Sequence, residues 1–351
     1  MDNNLINLNE NKKEYSSISI MRLLMAYLIV CIHVPYTGEL SFIEDICWIA
    51  TPFFMVTAGF FAWNKDEKIR RNKMAKHFGR TVFAYIAGYT FYFLVSVGIK
   101  YFCNDVFHMS LQVTFERWNI GRFLKGLILN NDPFCSHLWF LYCLAIVYIV
   151  MYFFCYEKLK EMMLIVIMAV ALCFKYGLIK INGYEDQLKA IYSFLPMFYL
   201  GYYYHYLVEK HREKAEGKKW CSLFLMGVAL FWVADIAISD VIGNMQVSYN
   251  EYIAIAILII LIKYPEIGKG TFFERIGKKY TLDIYVYHIF VMHFVIKILE
   301  KMHLLDMKVV KEVEVLLIIV LTVIFAVIKN AIKSCIVRLF KKNKKEIDNK
   351  A

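Results

Sequence analysis

The sequence predicts an all-α protein, a polytopic membrane bundle of about ten transmembrane helices with both termini in the cytoplasm. Three observations carry that expectation. Of the 351 residues 60% are hydrophobic, only five are proline, and the mean hydropathy is +0.48, a balance that soluble domains seldom have. Apolar runs of bilayer-spanning length recur along the chain, and Lys and Arg alternate between rich and poor loops.

Residues 1–17 are polar and Asn-rich, without the short apolar core and small-residue cleavage site of a removable leader. The first span is then a retained anchor. Apolar runs follow at 18–35, 43–63, 80–102, 138–156, 162–178, 190–208, 220–238, 250–264, 280–299 and 313–337. The eighth has a short core and suits a tilted or re-entrant helix as well as a full span. Loops on the side of the N-terminus hold 27 Lys and Arg against eight on the other. By the positive-inside rule this puts both termini in the cytoplasm, which requires an even number of spans. The expected organisation is a polar N-terminus over 1–17, a bundle over 18–337 and a basic tail over 338–351, in a multi-pass protein of the plasma membrane.

The net charge of +11 would raise the question of nucleic acid in a soluble protein. Here the charge is sorted by loop, so the bilayer is the expected partner and nucleic acid is not. Seven of the nine cysteines lie in or at the ends of apolar runs, with no Cys-x-x-Cys or Cys/His spacing, so no metal site is expected. Cys103 and Cys135 flank one outer loop, where a bridge would need an oxidising compartment. That loop, 103–137, contains TFERWNIGRFLKGLILN, whose apolar residues recur near helical spacing and suit an interfacial helix. No stretch is long enough for a soluble catalytic domain. Chemistry must therefore take place in or beside the bundle.

The first run, ISIMRLLMAYLIVCIHVP, carries Arg22 and His33 eleven residues apart. A helix brings them to nearly the same face, roughly 16 Å apart along the axis. Ionisable groups at membrane depth cost roughly 2.5–3.5 kcal/mol each and usually face an interior or a watery path. Two structural explanations compete: Arg22 can snorkel to the near interface, and His33 can sit in the far headgroup region. Chemically, a guanidinium forks onto phosphate, and an imidazole takes a proton from a nucleophilic hydroxyl or amine.

Other candidates carry equally open alternatives. Asp45 and Glu44 follow His33 after one short loop, and one of them either orients that imidazole or is an exposed loop acid. His137, beside Trp139, opens the fourth run and suits an aromatic belt as well as an acceptor contact. His288, near mid-membrane, either lines the cavity of His33 or is a hydrogen-bonded packing histidine. His293 is rotated ~140° from it and is not expected to share its site. His205 reads as structural and His77 as a loop residue. Asp235, Asp240 and Glu251 gather near an outer loop without basic residues, where they would meet a polar acceptor or water.

Five stretches in order resemble the acyltransferase family 3 membrane proteins: the Arg22 and His33 spacing, TPFFMVTAGFF at 51–61, HLWFLYCL at 137–144, FLPMFYLGY at 194–202 and IGKKYTLDIYVYHIF at 276–290. The resemblance runs from about residue 17 to 337. It implies an enzyme that takes an acyl group, typically acetyl, from cytoplasmic acyl-CoA and passes it to a sugar, glycan or other envelope acceptor. It implies that Arg22 and His33 are the functional pair, with Arg80 and its neighbours Arg70, Arg71, Lys73 and Lys76 supporting the CoA phosphates. The chain departs from the family pattern at HFGR, where His77 replaces the first arginine of an Arg-x-x-Arg pair, and at Asp283, which replaces a small residue. Asp283 either pairs with Lys278 or Lys279, or serves as a cap or interface residue. The chain also resembles the membrane half of the vancomycin-resistance serine/alanine racemases. That likeness implies transport or substrate delivery instead, with the basic tail as a linker toward a soluble domain.

Overall fold

The computed structural model describes residues 14–34, 42–102, 120–130, 133–154, 160–176, 179, 188–210, 217–242, 249–304 and 307–348. Every regular element among them is helical. The chain enters α1 (Ser16–His33), a short α2 (Phe42–Cys47), α3 (Ala50–Ala62) and a long α4 (Glu67–Phe102). It continues through α5 (Ile120–Leu129), a 3-10 turn (Pro133–Leu138), α6 (Trp139–Phe154) and α7 (Lys160–Lys175). A π-helical turn (Ala190–Phe194) leads into α8 (Leu195–Lys210), followed by α9 (Gly217–Ile242) and α10 (Tyr249–Lys263). The last two are α11 (Phe272–Lys301) and α12 (Lys308–Asp348). Among the described residues, four segments are long and apolar enough to cross a membrane: Ser16–His33, Phe42–Ala62, Phe272–Lys301 and Val313–Cys335.

Three departures from the expected runs have local causes. The basic stretch before residue 80, read from sequence as loop, is helical from Glu67. Asp66 caps that helix, its Oδ1 accepting from the Ile69 N–H at 2.9 Å, and Glu67 pairs with Arg71 at 3.2 Å one turn on. Near residue 190 the run begins as a π turn. Pro196 has no N–H for the carbonyl of Tyr192, so the ladder must widen or bend before it. The outer amphipathic stretch forms α5, which lays Phe123 on Tyr89 and Phe93 of α4 and leaves Leu124 and Ile128 exposed. Residues 103–119, which hold Phe115, Trp118 and Cys103, lie outside the described residues.

Helices in lipid gain little from burying apolar surface against one another, so close approach and a few polar bonds decide which pairs meet. α1 runs along α11, α3 along α8, α4 along α6, and α11 along α12. The α3–α8 seam is closed by two glycines. A Cβ at Gly59 would collide with the Phe198 carbonyl, and one at Gly201 with the Val56 carbonyl. Gly277 of α11 likewise faces the Ser19 carbonyl of α1. These glycines fall in the three glycine-bearing stretches that carry the family resemblance, which therefore encode packing.

Two acids find partners that the sequence did not suggest. Asp235 is buried rather than solvated, and both its oxygens are held by Lys175 of α7 at 2.5 and 2.7 Å, with the Tyr176 hydroxyl at 2.5 Å. Asp283 pairs with neither Lys278 nor Lys279. It accepts from Lys329 and, at 2.9 Å, from Asn330, and so joins α11 to α12.

Candidate functional site

α1 delivers His33 at its last residue, exposed and without a hydrogen bond to any described residue. Its ring lies 5.2 Å from that of His288 on α11. The ring of His137, in the 3-10 turn before α6, is 5.6 Å from His288 on another side. Three histidines far apart in sequence thus meet where α1, α11 and the start of α6 converge. One is open, and the other two are buried.

Backbone carbonyls fix the two buried rings. His288 donates from Nδ1 to the carbonyls of Ile284 at 3.0 Å and Tyr285 at 2.8 Å, which leaves its buried Nε2 a lone pair with no partner. His137 donates from Nε2 to the Val286 carbonyl at 3.2 Å, so its own lone pair is on Nδ1. A hydrogen bond at one ring nitrogen determines the tautomer and thus the role of the other. Tyr92 of α4 ties into the same turn of α11: its hydroxyl donates to the Val286 carbonyl at 2.9 Å and accepts from the Phe290 N–H at 3.2 Å. Tyr285 in turn donates to the His137 carbonyl. Tyr92 carries no signal in the sequence, where it is one aromatic among many in an apolar run, and Tyr285 lies in the 276–290 stretch of the family resemblance without being singled out there. His293 lies within electrostatic reach of both His33 and His137, although its rotation from His288 argued against a shared site.

Arg22, nearer the start of α1, is partly buried and within electrostatic reach of the Tyr148 hydroxyl of α6. His77 stacks on that same tyrosine at 5.5 Å. His77 is therefore a helical residue beside Arg22, not a loop residue. The Arg22 and Tyr148 environment lies in the first half of α1, roughly 16 Å along the axis from His33.

The remaining expected site residues disperse. Asp45 is exposed on α2 and forms no hydrogen bond or ion pair with His33 among the described residues; the inward residue of that helix is Cys47, which faces Cys31 of α1. Trp139 is stacked on Phe194 at 5.3 Å and has the Lys189 ammonium 4.5 Å from its ring, which commits it to packing. Arg70 is fully buried and donates to the carbonyls of Asn64 at 2.7 Å and Lys65 at 3.1 Å, closing the chain between α3 and α4. Arg71 pairs with Glu67, and Lys73 donates to the Trp63 carbonyl at 3.0 Å. Lys76 and Arg80 face a cavity between α4, α11 and α12 whose lining does not include Arg22. His205 donates from Nδ1 to the Phe60 carbonyl at 2.5 Å and stacks on the Phe60 ring, a packing role. Among the described residues no three His, Cys, Asp or Glu side chains converge with metal-ligand geometry.

A helical chain with membrane-length apolar segments defines a class, a helical membrane protein. The particular family follows from comparison: residues 15–331 match the model of the acyltransferase domain of family 3, and the chain belongs to that family. No characterised protein and no solved structure matches the chain.

Proposed function

We propose that the protein is a multi-pass plasma-membrane acyltransferase that moves an acyl group, typically acetyl, from cytoplasmic acyl-CoA to a hydroxyl or amine of an envelope sugar, glycan or small molecule. The observation that carries the reading is the contact of open His33 with buried His288, on the helix whose other end presents Arg22. Loop charge supports the direction. The N-terminal end of α1 adjoins the basic, cytoplasmic side, so Arg22 receives the donor from within and His33 the acceptor from without. The same charge bias supports ten spans with both termini inside, and the expected runs are helical over their described cores, 43–63 as two helices.

His33 acts as general base. The unpartnered lone pair on His288 Nε2, in a ring 5.2 Å from that of His33, is placed to take an N–H from His33 once the acceptor arrives, which leaves the other His33 nitrogen for the acceptor. That nitrogen takes the proton of the acceptor hydroxyl as its oxygen attacks the thioester carbonyl. The tetrahedral intermediate collapses by breaking the carbon–sulfur bond, and the imidazolium returns its proton to the CoA thiolate. An ester and free CoA result. For an amine acceptor the product is an amide and the proton count is the same. Arg22 meets an anionic end of the donor through its fork of N–H groups. His137 lends shape to the acceptor side, its ring held by a hydrogen bond to the backbone.

Purified protein in vesicles, incubated with acetyl-CoA and an envelope glycan fraction, is expected to release CoA thiol in step with acetylation of the glycan. Absence of both CoA binding and thiol release would move the assignment to a transport or delivery function.

A further inference from the structure

A second polar feature lies apart from the histidines, around Lys76 and Arg80, two of the cations that the family resemblance gives to the CoA phosphates and that here line a cavity without Arg22. A cavity of ≈ 530 Å³ opens between α4, α11 and α12, and its lining includes none of Arg22, His33, His137 and His288. Four cations line it: Lys76 and Arg80 one turn apart on α4, and Lys329 and Lys333 one turn apart on α12. The single acid in the lining is Asp283, which Lys329 and Asn330 already engage. No described residue pairs with Lys76, Arg80 or Lys333, so the cavity carries excess positive charge. Each cation belongs to a helix segment that adjoins a basic loop or the basic tail.

The rest of the wall is apolar and faces outward. Phe83, which lines the cavity, is 69% exposed, and Leu282 is 45% exposed. On α12, Ile328 and Ile332, next to the two lysines, are 53% and 55% exposed. Large apolar side chains left open in this way on a membrane bundle face acyl chains. The cavity therefore has a cationic end at interface depth and a side that opens into the bilayer. Its ligand needs an anionic head and apolar tails on the same molecule. A soluble phosphate supplies only the first.

We infer that this cavity binds the phosphodiester headgroup of an anionic phospholipid, held by Lys76, Arg80 and Lys333, with its acyl chains lying along Phe83 and Leu282. Basic pockets between transmembrane helices on the cytoplasmic side are a recurrent form of lipid recognition. The Asp283–Lys329 pair fixes the third wall, since it ties α11 to α12 at the floor of the cationic end. A neutral zwitterionic lipid adds a choline or amine next to three cations and is disfavoured.

The test is native mass spectrometry of the full chain in neutral detergent, titrated separately with dioleoyl phosphatidylglycerol, dioleoyl phosphatidylcholine and coenzyme A. Phosphatidylglycerol is expected to bind in preference to phosphatidylcholine. Arg80→Gln and Lys333→Gln are each expected to weaken its binding roughly fivefold, the effect of one basic side chain at an anionic lipid. Both side chains are exposed, so their neutralisation leaves the core intact, and either variant alone reads the site. Equal binding of the two lipids, or wild-type affinity for phosphatidylglycerol in both variants, overturns the inference. Displacement of phosphatidylglycerol by equimolar coenzyme A, lost in the same variants, also overturns it and gives the cavity to a soluble phosphate ligand.

Discussion

His33→Ala is expected to lower acyl transfer about 10²- to 10⁴-fold, the usual contribution of a positioned general base, while leaving the amount of folded protein unchanged. The two parts of this result have separate causes. His33 is the last residue of α1, is exposed, and makes no described hydrogen bond, so its removal leaves no cavity and no orphaned buried partner. Its described ring contact is with His288, which keeps its own carbonyl bonds in the variant. The loss should therefore fall on the rate of the chemical step, with CoA binding near Arg22 retained. Helicity by circular dichroism and CoA binding by calorimetry check the folded state. If folded His33→Ala transferred acyl groups at the wild-type rate, the base would have to be another group, and His293 would be the first to examine.

The second large effect is structural. Gly59→Ala and Gly201→Ala are each expected to destabilise the bundle by about 3 kcal/mol or more, the upper end of overpacking costs. At both positions the added carbon meets a carbonyl of the facing helix, Phe198 or Val56, and a backbone cannot rotate away as a side chain can. α3 and α8 would have to separate along the seam where Phe53, Phe60 and Phe198 are fully buried. Gly227 of α9 supplies the control, because nothing lies within 4 Å of a Cβ built there. Gly227→Ala should be neutral or stabilising by about 1 kcal/mol through helix propensity. Thermal unfolding in detergent, followed by loss of monodisperse protein, separates the two cases. A wild-type midpoint for Gly201→Ala would mean that the α3–α8 contact is looser than described.

The helices themselves were legible in the sequence, because a 3.6-residue ladder in an apolar run is a local property. The described core of each apolar run is helical, with 43–63 divided into α2 and α3, and Arg22 and His33 lie on one helix. Partnerships between helices were not legible. That His137 and His288 meet at His33 depends on α1 lying along α11, which rests on Gly277 against Ser19, and a glycine in sequence does not name its neighbour. The cations around Arg80 looked alike as a charge cluster. Only the fold separates Arg70, sunk among carbonyls, from Arg80 at a cavity and Arg71 beside its own helix's Glu67. Asp235 was misread because Lys175 lies inside an apolar run and was not counted with any loop. Asp45 was a candidate by nearness in sequence, as a partner of His33 or as an exposed acid, and α2 turns Cys47 inward and Asp45 out.

The central claim is directional: acyl-CoA enters from the Arg22 side of α1, and its acyl group passes directly to the acceptor at the His33 end. It is tested most directly in vesicles of known protein orientation, with acetyl-labelled acetyl-CoA on the side of the N-terminus and envelope glycan on the other. Label is predicted to appear on the glycan while free CoA accumulates on the donor side, and His33→Ala should abolish both. Label remaining wholly in acetyl-CoA, or equal transfer by wild type and His33→Ala, would contradict the account.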